Sequence, residues 1–311
     1  MVHVFIINPA IGKRSLSVKL RKDLEARDDI KYFVFNTLRA DHEATLVNQL
    51  RHYIDGDTIR FYVVGGLGTL HKVFNGLGEN FENVELAWLP IGVNNNLIKC
   101  FGPSNAARFI NLEELINGKA IYMDYIKTNH GLALNAMSIG SDSACIKYSN
   151  NNVGTINSLQ YKFVQIYSVL TSKPVRAELT INEKYHFPEE DRCEIFFGNG
   201  SFIGGGLRLG TNSILNDGQG EYLIGPNLKG FSYLSALSTL GKIGPENYKI
   251  IKTGRANKIE IKSQTLLSVN LDGELYEGFN DWEAEIVSDK LKFVIPRHMK
   301  TPALKNPVTA K

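Results

Sequence analysis

Short apolar runs alternate with helical stripes through the first third of the chain, and this alternation restricts the fold more than any other feature. Val2–Ile7 is an apolar, β-branched run that reads as a buried strand, broken by Asn8-Pro9-Ala10-Ile11-Gly12. Leu16, Leu20 and Leu24 then recur at helical spacing. Tyr32–Phe35, Ile59–Val64 and Val84–Leu89 read as further strands. Between them lie stripes of Ala44, Val47, Leu50 and Ile54, with Asp41 placed to cap, and of Leu70, Val73, Phe74 and Leu77. Phe109, Leu112 and Ile116 mark one more helix. Such alternation predicts an α/β domain: a mostly parallel sheet with helices on both faces.

The pattern changes near residue 120. Ile121–Thr128 and Leu132–Ser138 read as two strands joined by the turn Asn129-His130-Gly131. Apart from one helix near 155–171, strands follow at 175–181, 192–198, 248–253, 257–262, 266–271, 283–287 and 290–295. They predict a β-rich, antiparallel, sandwich-like second domain. The expected boundaries are 1–125 for the α/β domain, 126–295 for the β-rich domain and 296–311 for a basic, polar tail that either frays or returns to the first domain. A chain of 311 residues suits two such domains.

Composition removes several classes of function. A net charge of +3 gives no reason to expect nucleic acid, and it leaves room for a local basic patch facing phosphate or an anionic membrane. Cys100, Cys145 and Cys193 are few and widely spaced, which argues against a zinc site or a disulfide framework and fits a reducing cytoplasm. No stretch reaches the roughly 20 apolar residues that span a bilayer, so membrane contact is expected to be peripheral, at the inner face.

Gly65-Gly66-Leu67-Gly68-Thr69 follows a strand and opens a helix. Glycines there allow close backbone approach to a phosphate, and the helix start offers N–H donors. A Gly-rich strand–helix turn is also an ordinary structural device, and this one is neither a Walker loop nor a Rossmann fingerprint. Three further segments sharpen it: Asn8 to Lys13, Pro90-Ile91-Gly92-Val93-Asn94-Asn95-Asn96, and Asp272-Gly273-Glu274. Ligands of open α/β sheets bind outside the carboxyl ends of the strands, where the first two of these stand. The third, alone, would be a surface turn.

In this order the segments resemble the diacylglycerol kinase catalytic family, related to the sphingosine kinases, with its N-P-x-x-G-K, G-G-D-G-T, P-L-G-T-x-N-D and D-G-E motifs. Gly198-Asn199-Gly200, Gly204-Gly205-Gly206 and Asp217-Gly218 match further family segments. The resemblance covers roughly residues 2–295. It implies an ATP-dependent kinase that uses Mg²⁺ to phosphorylate the hydroxyl of a diacylglycerol-like lipid, with an active site between the two domains. By resemblance, Asn8, Gly12, Lys13, Thr37, Gly65, Gly66, Gly68, Thr69 and Asn95 hold the nucleotide. Asp272 is the base, Glu274 assists it, and Asp217 belongs to a metal site. The expected partners are ATP, a membrane lipid and a second copy of the chain.

The sequence departs from the family where charge is needed. Leu67 replaces the aspartate of G-G-D-G-T, Val93 replaces a threonine, and Asn96 replaces a second aspartate. Leucine can neither ligate a metal nor accept a proton, so reduced activity is expected, with Leu67→Asp expected to raise it. Two other readings compete: a pseudokinase that binds nucleotide or lipid without transfer, and an NAD kinase-like enzyme that shares the glycine loop.

Overall fold

The computed structural model describes the chain apart from residues 11–13, 40, 54–55, 92–94, 152–157, 212, 300–302 and 306–311, and the side chains of 14–17, 53, 103, 150–151 and 158. Contacts divide it into two compact units, Met1–Met123 with Ser288–Lys311, and Asp124–Val287.

The first unit alternates β1 (Val2–Ile7), α1 (Arg14–Glu25), β2 (Tyr32–Asn36), α2 (His42–Tyr53), β3 (Ile59–Gly65), α3 (Leu67–Leu77) and β4 (Val84–Pro90). Three short helices follow: α4 (Asn96–Cys100), α5 (Ala106–Phe109) and α6 (Leu112–Ile116). The strand order is β4-β3-β1-β2, and every pairing is parallel. All residues of β1, β3 and β4 are buried, as the uninterrupted apolar runs require of a sheet covered on both faces. The charges within those runs are paired. Arg60 Nε lies 2.6 Å from Glu85 Oε2, and its Nη1 donates to the carbonyls of Leu115 and Ile116 at the end of α6. The single helix expected over Phe109 to Ile116 is two, because Asn111 stops α5 and caps α6, accepting from the backbone N–H groups of Glu113 and Glu114.

The second unit takes β5 (Lys119–Thr128), which enters it, then β6 (Leu132–Ala133), β7 (Ala136–Gly140), α7 (Ser141–Asn151), α8 (Ser158–Thr171), β8 (Val175–Ile181), β9 (Tyr185–Arg192) and β10 (Glu194–Gly198). After them come β11 (Phe202–Ile203), β12 (Leu207–Arg208), β13 (Gly220–Ile224), α9 (Gly230–Ile243), β14 (Lys252–Ala256), β15 (Lys258–Leu271) and β16 (Glu274–Ile295). The pairings of β7 with β10 and β15, of β10 with β13, of β13 with β14, of β15 with β8 and β16, and of β8 with β9 are all antiparallel. Ile139, Ile195, Phe197, Ile261, Val269 and Trp282 are among the buried residues of its core.

The hairpin expected between 121–128 and 132–138 closes over only two residue pairs, Ile126 with Ala133 and Lys127 with Leu132. Beyond them β7 turns to β10 and β15 instead. The strands expected at 257–262 and 266–271 are one bulged strand, β15. Those expected at 283–287 and 290–295 are parts of β16, whose last residues pair in parallel with β4, Lys292 opposite Glu85. The segment that belongs to the first unit therefore begins at Ser288 rather than at residue 296. Arg297 N–H donates to the Glu114 carbonyl and Arg108 to the His298 carbonyl, while Ala303 is buried.

Candidate functional site

Four strand ends come level at the carboxyl edge of the first unit's sheet. Ile7 lies opposite both Asn36 and Val64, and Gly65 lies opposite Pro90. Asn8, Thr37 and Ile91 therefore leave the sheet together. Their N–H groups donate to the carbonyls of Val64, Ile7 and Gly65 at 3.0, 2.9 and 3.0 Å. The indole N–H of Trp88 also donates to Gly65, at 2.9 Å.

The glycine loop is shaped by close approach. A Cβ on Gly65 would stand 2.7 Å from both Cβ and Oγ1 of Thr69, so the strand can pass the first turn of α3 only as glycine. Gly66 is the N-cap of α3, extended and without a side-chain cap, and Leu67, Gly68 and Thr69 open the helix. That leaves the amide-rich, positive end of α3 uncapped by any side chain, the arrangement that attracts phosphate. Leu67 turns inward, 4 % exposed, on the buried face that continues through Leu70, Val73, Phe74 and Leu77.

Asn8 organises the polar side of this edge. Its Oδ1 accepts from Ala10 N–H at 3.0 Å, while its Nδ2 donates to Thr69 Oγ1 at 3.1 Å and to Glu43 Oε1 at 3.3 Å. Thr69 and Thr37 are buried, the hydroxyl of Thr69 serving as acceptor and keeping its own proton to donate. Asn95 stands at the N-cap of α4, and the buried Asn96 has Oδ1 3.4 Å from Lys99 Nζ, whose ammonium is held below its usual range by burial. Gly12, Lys13 and Val93 lie outside the described residues. A cavity of about 580 Å³ also reaches these strand ends, lined by Val64, Leu89 and Ile91 with Leu20, Arg27 and Leu112.

The candidate metal residues differ in fit. Asp217 is the partner of Arg255, whose Nη2 lies 2.8 and 2.6 Å from its two carboxylate oxygens. No group of three or more His, Cys, Asp or Glu suited to a metal occurs among the described residues. Glu43 does fit a cation carried in with phosphate. Its side chain is 3 % exposed, and its Oε2 is buried without a hydrogen-bond partner among the described residues.

In the second unit, Asp272-Gly273-Glu274 is the tight turn from β15 into β16, with φ of 54° at Asp272 and 96° at Gly273. Positive φ at both central residues is the type I′ geometry that Asp-Gly favours. The Asp272 side chain folds back and accepts from the backbone N–H groups of Leu134, Asn135 and Ala136 at 2.5, 2.9 and 2.9 Å. It holds in place the turn that ends β6 and starts β7. Glu274, at the other end of the turn, is half-buried. Gly273 N–H donates to Asn270 Oδ1 at 2.7 Å, and Asn270 Nδ2 donates to Asp142 Oδ2 at 2.6 Å, which ties the turn to α7.

Asp142 borders a second cavity, of about 310 Å³, whose apolar lining includes Cys145, Ile166, Val169, Ile203, Leu234 and Leu237. Gly204-Gly205-Gly206 covers it with three positive φ angles, and a Cβ on Gly204 would stand 2.6 Å from Asp142 Oδ1. Burial pushes the Asp142 carboxyl up, opposed by its bonds to Ser138 and Asn270. Glu194 is also buried, accepting on Oε2 from Ser141 Oγ and Tyr233 OH at 2.9 and 2.8 Å. Burial first, then the charge of Asp142, push its carboxyl up to about 8. Sequence reading missed Glu43, Asp142 and Glu194, since only tertiary contacts bury them.

Comparisons with known proteins agree with this layout. Residues 3–128 match the family model of the diacylglycerol kinase catalytic domain, and residues 135–294 match that of the YegS C-terminal NAD kinase beta sandwich-like domain. The chain is 28 % identical over 236 residues to the lipid kinase YegS of Escherichia coli (strain K12), covering 75 % of this chain and 76 % of that one. The same figures hold for the probable lipid kinase YegS-like protein of Klebsiella pneumoniae (strain 342). A crystal structure of a diacylglycerol kinase from Bacillus anthracis shares the fold with a TM-score of 0.67 at 20 % identity, over 96 % of this chain and 98 % of that one. The chain belongs to the family that joins the diacylglycerol kinase catalytic domain to the YegS C-terminal NAD kinase beta sandwich-like domain.

Proposed function

We propose that the protein transfers the γ-phosphoryl group of ATP to the hydroxyl of a diacylglycerol-like lipid drawn from a membrane surface. The observation that carries the lipid reading is the apolar cavity bordered by Asp142, together with the face of α8 beside it. Leu159, Phe163, Ile166 and Tyr167 recur at helical spacing along that face and are 62, 65, 44 and 50 % exposed. Phe231, at the start of α9, is 81 % exposed. The described part of α8 has no acidic residue and carries Lys162, which suits an anionic bilayer. No helix among the described residues is long and apolar enough to cross a membrane, so the contact is peripheral in this reading.

The nucleotide is assigned to the first unit. The uncapped start of α3, Gly66, Gly68 and the Thr69 hydroxyl receive phosphate oxygens, and Asn8 and Thr37 fix the loop around them. The cavity at the ends of β3 and β4 has room for the nucleoside. Mg²⁺, when bound with ATP, neutralises charge on the transferring group. The lipid hydroxyl oxygen bonds to the γ-phosphorus as the bond to the β,γ-bridging oxygen breaks, and the hydroxyl proton passes to a carboxylate. In this reading Asp272 is that acceptor and Glu274 assists it, the three backbone amides holding the Asp272 carboxylate in place.

Incubation with labelled ATP, Mg²⁺ and mixed micelles of single lipids tests the reading. Label in a lipid with a free hydroxyl supports it. A second reading, a pseudokinase, is favoured by the inward-facing Leu67. It becomes the better one if nucleotide binds and no lipid is labelled.

A further inference from the structure

The carboxylate that Leu67 cannot supply has a substitute on the neighbouring helix. Glu43 stands in the first turn of α2. This helix packs against α3 so closely that a Cβ on Gly76 would come within 2.5 Å of the Ala44 Cα. The contact brings the Glu43 side chain to the polar edge of the sheet, where Oε1 accepts from the same Asn8 nitrogen that donates to Thr69. Its Oε2 is buried and has no partner among the described residues. A buried carboxylate oxygen calls for a donor or a cation. The neighbouring basic residue Lys72 has its ammonium 3.2 Å from Asp41. Among the described residues, the side-chain hydrogen bond given to Glu43 comes from the neutral Asn8, which also donates to Thr69.

We propose that Glu43 is the protein's carboxylate ligand for the divalent cation that enters with the nucleotide. Resting on the nucleotide reading above, the inference moves the acidic role from the glycine loop to the start of α2. One acid suffices for such an ion. Mg²⁺ commonly takes one or two carboxylates and fills the rest of its octahedron with phosphate oxygens and water. The Thr69 hydroxyl, bonded to Asn8 and next to the uncapped helix start, is the neutral oxygen at hand for the same phosphate–metal unit.

ADP binding measured by calorimetry with and without Mg²⁺, with Mn²⁺ binding followed by electron paramagnetic resonance, tests this on the full chain. Wild type is expected to bind ADP more tightly with the metal. Glu43→Gln keeps the shape and the acceptor for Asn8. It is expected to bind metal-free ADP as wild type does, to lose the metal enhancement, and to bind Mn²⁺ in the ADP complex about tenfold more weakly or worse. Glu43→Asp keeps the charge but withdraws the oxygen, so an intermediate loss is expected, and this variant answers the question if Glu43→Gln does not fold. An undiminished metal enhancement in Glu43→Gln overturns the inference. So does an equal loss with and without metal, which would make Glu43 only a support for Asn8. Wild type that binds ADP with no metal dependence overturns the inference and leaves the nucleotide reading standing. Wild type that binds no ADP under either condition overturns both.

Discussion

Replacing Leu67 by Asp restores the family's loop and, in this structure, places a carboxylate in the core. Leu67 is 4 % exposed and begins the buried face of α3. Removing its apolar burial costs roughly 2–3 kcal/mol. The carboxylate then adds a desolvation cost, offset by about 0.3–2 kcal/mol from the positive helix start. The net expectation is a loss of about 2–4 kcal/mol. The two tryptophans allow this to be read locally, since Trp88 is buried in β4 of the first unit and Trp282 in the second. In a Trp282→Phe background, urea unfolding followed by Trp88 fluorescence should show the midpoint of Leu67→Asp about 1–2 M lower, given slopes of roughly 1–3 kcal/mol/M. In a Trp88→Phe background, the Trp282 signal should move less. A Trp88 midpoint that does not move would refute the placement of Leu67 in the core. The gain in activity expected from the motif alone is then opposed by this loss. It is opposed again if Glu43 already supplies the charge, because a second carboxylate nearby repels the first.

Other outcomes follow from other contacts. Glu194 has a folded pKa raised to about 8, so the native state holds a proton that the unfolded chain has released. Stability should therefore fall as pH rises from about 5 to 8 and then level off, by roughly a few kcal/mol, and Glu194→Gln should flatten that slope in thermal melts. Gly65→Ala drives a methyl into Thr69 at 2.7 Å. It should cost about 1–3 kcal/mol and weaken nucleotide binding in calorimetric titration. The pair Phe163→Ser and Phe231→Ser, both exposed, should reduce sedimentation with anionic vesicles and leave the melting temperature nearly unchanged. Unaltered sedimentation would remove the α8 face from the membrane reading.

Elements formed by unbroken apolar runs were legible from sequence. The buried strands β1, β3 and β4 lie where the runs lie. The stripe of α3 was equally plain, because its period of 3.6 follows from burial of one face. β9 was missed, with Glu189, Glu190 and Asp191 following Pro188. Among the described residues it is an edge strand paired with β8 alone, the position that tolerates proline and charge. α7 begins at Ser141 directly after β7 ends at Gly140, whose φ of 133° makes the turn with no loop to announce it. α9 carries Gly230, Gly241 and three serines among its leucines, so its stripe is weak. At the site, motif order pointed to Asn8 and the glycine loop. It could not show that Asp217 meets Arg255, or that Glu43 meets Asn8, because those pairs lie 38 and 35 residues apart.

The long path of β16 has a consequence for how the chain folds as it is made. β4 is flanked on one side by β3 and on the other by residues near Lys292. During synthesis the first four strands emerge early, yet the partner for the outer edge of β4 emerges only after the whole second unit. In that interval Val84–Pro90, an apolar strand, presents unpaired N–H and C=O groups to other chains. Nascent chains should therefore pass through an aggregation-prone stage whose length is set by the time taken to translate residues 124–287. Truncation before Ser288 should prolong that stage indefinitely, even though every residue named at the glycine loop would still be present.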